Sequence, residues 1–350
     1  MKFYKINQNF IQIQKSELKL SKLKNFNIFF DQFHNNSITI ESPAFNSFIN
    51  LLFNLNFQIG SISQQISYKK LIELFKIKEE KDFKNNLLIL GNPQNLKYSM
   101  EEIYSILEFV KNGGNLLIIT NEGGDLSNKT NLSEGFGTHF GFKILNNIIF
   151  NQKNNAGKVI WPIIIKFVDH PITVDLKSIV YASGCSFELL KNCEFAEFSN
   201  VNLIPIILTD ETCEMKYYDI NLQQWKEEYA SNAILAIIGQ FFRGCFGIIG
   251  TPAIFSNLNI YYGISAKDNF KLIQNLLEWF SIIHENKLNF EEFGNQIEIQ
   301  LRIEKEIFEW AKNEAKIKCF GDLSYLINYA LKKLKKEFEE KINNGKKKEY

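Results

Sequence analysis

The sequence predicts an α/β protein: an open parallel sheet with an added β-rich part, followed by a small separate unit at the carboxyl end. Three observations predict it. Residues 87–90 (LLIL) and 116–119 (LLII) are short, wholly apolar runs, the pattern of strands buried on both faces of a parallel sheet. Between them Met100, Ile103, Tyr104, Ile106, Leu107 and Val110 recur at helical spacing, which makes a βαβ unit. From Gln296 onward the pattern changes to strict alternation and then to two further helical stretches.

In chain order, residues 1–25 are rich in Lys and Asn and read as an added edge strand or a lead-in. The first strand is 27–31, running into the polar loop Gln32-Phe33-His34-Asn35-Asn36. Ser42 and Pro43 open a helix with Phe45, Phe48, Ile49, Leu52 and Phe53 on its apolar stripe. A second strand spans 57–62 and a short helix 68–75. In the central unit Ser99 is placed as N-cap with Glu101 and Glu102 in the first turn, and Asn112-Gly113-Gly114 stops the helix. The loop Glu122-Gly123-Gly124-Asp125 follows the fourth strand, then a short helix over 131–140 and a strand over 142–145. Strands are expected at 161–168, 178–181 and 203–208, with a buried hairpin over 233–242 and 245–250 joined through Arg243-Gly244. A helix over 267–284 carries Phe270, Ile273, Leu276, Leu277 and Phe280 inward, and 285–295 is a linker. This alternation of strand and helix implies right-handed crossovers. The loops after Asp31, Gly91 and Ile119 then gather on one rim, where open parallel sheets hold their ligands.

Composition narrows the function classes. At 350 residues there is room for one large and one small domain. Hydrophobic residues at 45%, charged residues at 23% and a net charge of +1 give no sign of a nucleic-acid or membrane surface over the whole chain. Arg243 and Arg302 are the two arginines among 40 basic residues. Cys185, Cys193, Cys213, Cys245 and Cys319 are odd in number and form no CxxC pair, which fits free, buried thiols in a reducing cytoplasm. The opening MKFYKINQNF lacks the apolar core of a secretory signal, and no run reaches the ~18 apolar residues of a membrane span.

The block from about 26 to 284 resembles the GIFT domain, shared by gliding-motility transport components and an intraflagellar transport subunit. The matching stretches are FDQFHNN (30–36), LLILGNP, ILEFVKNGGNLLIITNEGGD, DHPI (169–172), YASGCSF (181–187) and ILAIIGQFFRGCFGIIGTPAIFSN before a helix ending LLEWF. The resemblance implies a flavodoxin-like or class I glutamine-amidotransferase-like core that serves as a binding or assembly module. Amidotransferase-like folds place a nucleophilic Cys in a strained turn after a strand, with a His to take its proton. The corresponding turn here is Thr120-Asn121-Glu122-Gly123, with neither Cys nor Ser, so a non-catalytic protein without cofactor or metal is expected. Asp31, His34, Asn92, Asn121, Glu122, Asp125 and His170 are the candidate residues of a partner- or ligand-binding rim. An acid–base or metal role for Asp31, His34, Glu122 and Asp125 is the enzymatic alternative, against which Asp31 and Glu122 cap nearby backbone N–H groups and His170, before Pro171, holds a loop. The Gly-rich turn is no phosphate cradle, because it lacks the Lys of a P-loop and offers acid to an anion.

Residues 296–303 (QIEIQLRI) alternate as a strand with one wet face, followed by helices over 304–317 and 323–342. So small a unit cannot bury its own apolar faces. With DLSYLINYAL at 322–331 it resembles the ribbon-helix-helix fold, which implies a homodimer through 296–342 and duplex DNA as a possible partner. Glu298, Gln300 and Arg302 face outward on the ribbon. Gln300 and Arg302 suit base edges, whereas Glu298 is repelled by phosphate, although it could accept from a cytosine amine. Thirteen Lys/Arg against ten Asp/Glu from Gln296 onward is a weak basic excess for a DNA binder. The tail 343–350 is expected to be disordered. The sequence therefore favours a cytoplasmic, non-catalytic binding protein dimerised by its carboxyl end, with a ligand-sensing DNA-binding regulator as the alternative.

Overall fold

The computed structural model describes residues 26–190, 201–219, 222, 224–282, 306, 307, 309–311 and 313. The chain divides into two compact units, Met1–Ser281 and Ile282–Tyr350. The expectations for residues 1–25, the ribbon with Glu298, Gln300 and Arg302, the second helix of that unit, the tail, Cys193 and Cys319 lie outside the described residues.

In the first unit the apolar runs do what buried strands must. β1 (Asn27–Asp31), β2 (Gln58–Ile62), β3 (Asn86–Gly91), β4 (Asn115–Ile119) and β15 (Gly244–Ile249) form a parallel array in the order β2-β1-β3-β4-β15. Every residue of β3, β4 and β15 is buried, which explains the absence of alternation in their sequences. α1 (Asn46–Asn54), α2 (Tyr68–Leu74) and α3 (Met100–Lys111) connect the first four strands. α3 is held at its start by a full capping box, Ser99 Oγ accepting from Glu102 N and Glu102 Oε2 accepting from Ser99 N. Phe48 of α1 meets Phe30 on one face of the sheet. On the other, Leu88, Leu90, Leu116 and Ile118 join Leu71, Ile103, Ile106 and Phe136 in one core cluster.

β14 (Ile234–Phe241) closes antiparallel on β15, as the expected hairpin, and carries β10 (Phe187–Leu189) and β11 (Val201–Leu208), also antiparallel. β5 (Phe142–Ile144) pairs with β10, and β8 (Lys166–Phe167) with β11, completing ten strands. A separate antiparallel sheet joins β6 (Asn147–Phe150), β12 (Glu214–Asp219) and β13 (Gln224–Tyr229), and β7 (Ile163–Ile164) pairs with β9 (Ile179–Val180). α6 (Asn269–Ile282) buries Ile273, Leu276, Leu277 and Phe280 as its spacing predicts.

Several local expectations need correction. Residues 161–168 form two short strands, β7 and β8, in place of one. The segment after Gly123 is a short helix, α4 (Gly124–Asn128), where a loop is expected. Residues 131–140 hold a π-helical turn at Ser133–Gly137, continuous with α5 (Thr138–Phe140), and Gly141 ends it at φ +84°. Phe53, Met100 and Tyr104 are assigned inward by spacing but stand exposed at 53%, 58% and 56%. In the second unit, Glu306, Ile307, Glu309, Trp310, Ala311 and Asn313 are helical, in keeping with the helix expected over 304–317.

Candidate functional site

The order β2-β1-β3-β4 reverses direction between β1 and β3, so the carboxyl ends of those two strands flank the crevice where sheets of this kind bind ligands. Here that crevice is filled by the protein's own side chains. β1 ends at Asp31, which has no exposed surface. Its Oδ1 accepts from Phe33 N at 3.0 Å. Its Oδ2 accepts from Asn36 Nδ2 at 2.9 Å and Tyr98 OH at 2.6 Å, and lies 2.8 Å from His34 Nδ1. Asp31 therefore closes its own loop, as a carboxylate accepting several donors at once can.

His34 is also fully buried and stacks on Tyr98, ring centroids 3.8 Å apart. Its Nε2 lies 3.3 Å from Glu102 Oε1, near enough for ion pairing but without hydrogen-bond direction. Glu102 in turn accepts from Ile66 N at 3.0 Å through Oε1, while its other oxygen serves the α3 capping box. One buried cluster thus ties the β1 loop to the segment before α2 and to the start of α3. Burial, followed by the Asp31 carboxylate, pushes the Tyr98 phenol well above its usual range, so it stays a donor.

The loop continues over the end of β3. Ser37 N donates to Asn92 O at 3.2 Å and Ile38 N to Gly91 O at 2.9 Å. Gly91 permits this approach, since a Cβ there would come within 2.7 Å of both Ile38 Cβ and Ile38 O. Asn92 is buried and adopts φ +64°, with Nδ2 donating to Ser37 Oγ at 3.0 Å.

The remaining rim candidates divide. Asp125 accepts from Thr130 Oγ1, Leu132 N and Ser133 N at 2.7–2.9 Å, which occupies both its oxygens with the start of the next helical turn. His170 is buried, and its Nδ1 accepts from Ile172 N at 3.2 Å, holding the turn at Pro171. Asn121 and Glu122 are half-buried. Glu122 N donates to Ser183 O at 3.1 Å. The buried thiol of Cys185 is pushed far up by burial and further by the carboxylates of Asp125 and Glu122, and Cys213 is pushed up to about 11, again chiefly by burial. Neither is a ready nucleophile. Among the described residues no group of three or more His, Cys, Asp or Glu could hold a metal ion.

The structure thus joins Asp31 to His34, sets Asn92 beside their loop, and keeps His170 apart on its own turn. Sequence reasoning missed Tyr98, Glu102 and Asn36. Glu102 carried a signal, its place in a capping box, but nothing in that motif indicates that its second oxygen reaches across to Ile66.

Searches against family models and against curated proteins find no match to this chain. Solved structures do resemble it. The mmIFT52 N-terminal domain superposes with a TM-score of 0.53 at 17% identity, covering 73% of this chain and 97% of that one. A ThuA-like protein from Bacteroides uniformis gives 0.41 at 11% identity, over 74% and 91% of the two chains. A cytoplasmic protein from Salmonella typhimurium gives 0.41 at 14% identity, over 73% and 98%. The first of these carries the comparison. The larger unit has the α/β fold of the IFT52 N-terminal domain. Among the described residues no helix is long and apolar enough to cross a membrane.

Proposed function

We propose that the larger unit is a non-catalytic binding and assembly domain that engages a protein partner on its strand-end rim, and that residues 296–342 make the chain a homodimer. The observation that carries this reading is the buried cluster at the end of β1, where open parallel sheets bind their ligands: His34, Asn36 and Tyr98 are buried there around the Asp31 carboxylate. The likeness of fold to the IFT52 N-terminal domain and the turn 120–123 without Cys or Ser support the same reading. A protein partner suits the outer surface of that rim. Phe33 after β1 and Leu258, Ile260 and Tyr261 after β15 are 39%, 66%, 73% and 61% exposed. The latter loop is pinned to the start of α1 by Asn257, whose N donates to Ala44 O at 2.8 Å. Apolar side chains held at this exposure on a fixed loop are a contact surface in search of cover. A photo-crosslinking residue placed at 260 in cells is expected to give a discrete adduct, and one placed at Lys129 none. Adducts at neither position would contradict the partner reading.

Dimerisation is supported by the second unit's described residues. Ile307 and Trp310, three apart on one helical face, are 51% and 61% exposed. A second reading, a DNA-binding regulator, rests on the outward Gln300 and Arg302. It predicts sequence-selective duplex binding that weakens with salt and is lost on Arg302→Ala, measured by fluorescence anisotropy. Binding indifferent to both sequence and Arg302 would remove it.

A further inference from the structure

We propose that the partner of the strand-end rim presents an acidic, apolar segment, with a carboxylate on Lys158 and apolar side chains covering the loop of Ile260 and Tyr261. This inference rests on the protein-partner reading above and adds the chemistry of the surface that fits it. Two loops make the site, and packing joins them. The ring centroids of Trp161 and Tyr262 are 4.7 Å apart, and Lys158 Nζ lies 4.8 Å from the centroid of the Trp161 ring. The Trp161 ring is thus shared by the Lys158 ammonium and by Tyr262, whose loop carries the exposed Leu258, Ile260 and Tyr261. Both loops are tied down. Ile160 O accepts from Ser183 N and Pro162 O from Tyr181 N, each at 2.9 Å. Ile264 N donates to Ser256 O at 2.7 Å, and Asn269 Nδ2 donates to Gly263 O at 2.9 Å. Loops closed in this way keep their exposed side chains in place, so a partner binding there orders little new chain.

Charge decides what kind of segment fits. Residues 154–165 and 251–267 contain Lys158 and Lys267 but no Asp or Glu. Both lysines are exposed, and neither forms an ion pair with a carboxylate among the described residues. Acids bordering these loops are turned elsewhere. Asp268 Oδ2 accepts from Lys177 N at 2.7 Å and from Ser178 N at 3.0 Å, and Glu41, ahead of α1, accepts from Gln32 Nε2. A cation resting on an aromatic face without a carboxylate of its own is complemented by one from outside. Acids spaced among apolar side chains satisfy both halves of this surface. Two lysines are too few for an anionic bilayer, which is recognised by clusters of about four to eight.

The test places p-benzoylphenylalanine at position 260 of the full chain in cells and sequences the crosslinked partner peptide by mass spectrometry. That peptide is expected to carry Asp or Glu among apolar residues. Resynthesised with a fluorescein label, it is expected to bind the purified full chain in an anisotropy titration. Lys158→Glu is expected to weaken that binding by about fivefold or more, Lys158→Met to weaken it less, and Lys129→Glu to leave it unchanged. Added salt is expected to shrink the difference between the unaltered chain and Lys158→Glu. A crosslinked peptide without acid, a peptide that does not bind, or binding indifferent to Lys158→Glu would overturn this inference and leave the partner reading standing. The absence of any adduct at 260 would overturn both. Sedimentation of the purified chain with phosphatidylserine vesicles, lost in Lys158→Glu, would assign the surface to lipid and overturn the proposal as well.

Discussion

Asp31 illustrates how far a single residue's role depends on what is folded over it. On the sequence it is an acid at a strand end, equally suited to a cleft or a cap. In the fold it accepts from Phe33, Asn36 and Tyr98 with His34 Nδ1 at 2.8 Å, and none of its surface reaches solvent. Removing the carboxylate strands three donors at once. Asp31→Ala is therefore expected to destabilise the domain by about 3–5 kcal/mol, and Tyr98→Phe, which removes one charge-assisted bond, by about 1.5–3 kcal/mol. Urea unfolding measures both, and equal, near-zero effects would mean that the cluster does not hold the β1 loop. The residues that bury Asp31 were not legible beforehand, because Tyr98 lies 67 positions along the chain. Polar residues at a strand end can be read from sequence. Whether they face solvent depends on a partner that only the fold supplies.

At the scale of elements the legible parts are those whose burial is extreme. β3, β4 and β15 announce themselves because a strand covered on both faces has no reason to alternate. β12 and β13 were missed for the opposite reason. EMKYYD and QWKEEY are charged, and β13 is exposed or half-exposed at every position, so neither face imposes a period of two. Phe53, Met100 and Tyr104 show a third limit: helical spacing gives a stripe but not its edges. The turn into β15 is strict in another way. A Cβ on Gly244 would lie 2.0 Å from Val110 O and 2.4 Å from Gly114 O, both backbone. Neither can yield without moving the end of α3, so Gly244→Ala is expected to cost about 1–3 kcal/mol, read as a lower urea midpoint. Arg243, beside it, pairs with Glu80 on the surface and is expected to matter less.

At the scale of the whole molecule, the fold agrees with the expectation drawn from the GIFT resemblance, although identity to the IFT52 domain is only 17%. Order and spacing of short motifs carried that signal, since no single motif is specific. The function proposed for the molecule joins two parts with different logic. The larger unit fills its own ligand crevice and presents apolar loops outside it. The smaller unit leaves Ile307 and Trp310 open among its described residues. Both features call for another protein surface, and for the smaller unit the simplest such surface is a second copy of itself. Light scattering coupled to size exclusion, on the intact chain and on residues 1–290, tests this most directly. A dimeric intact chain and a monomeric truncation are the predicted result, and a monomeric intact chain would contradict it.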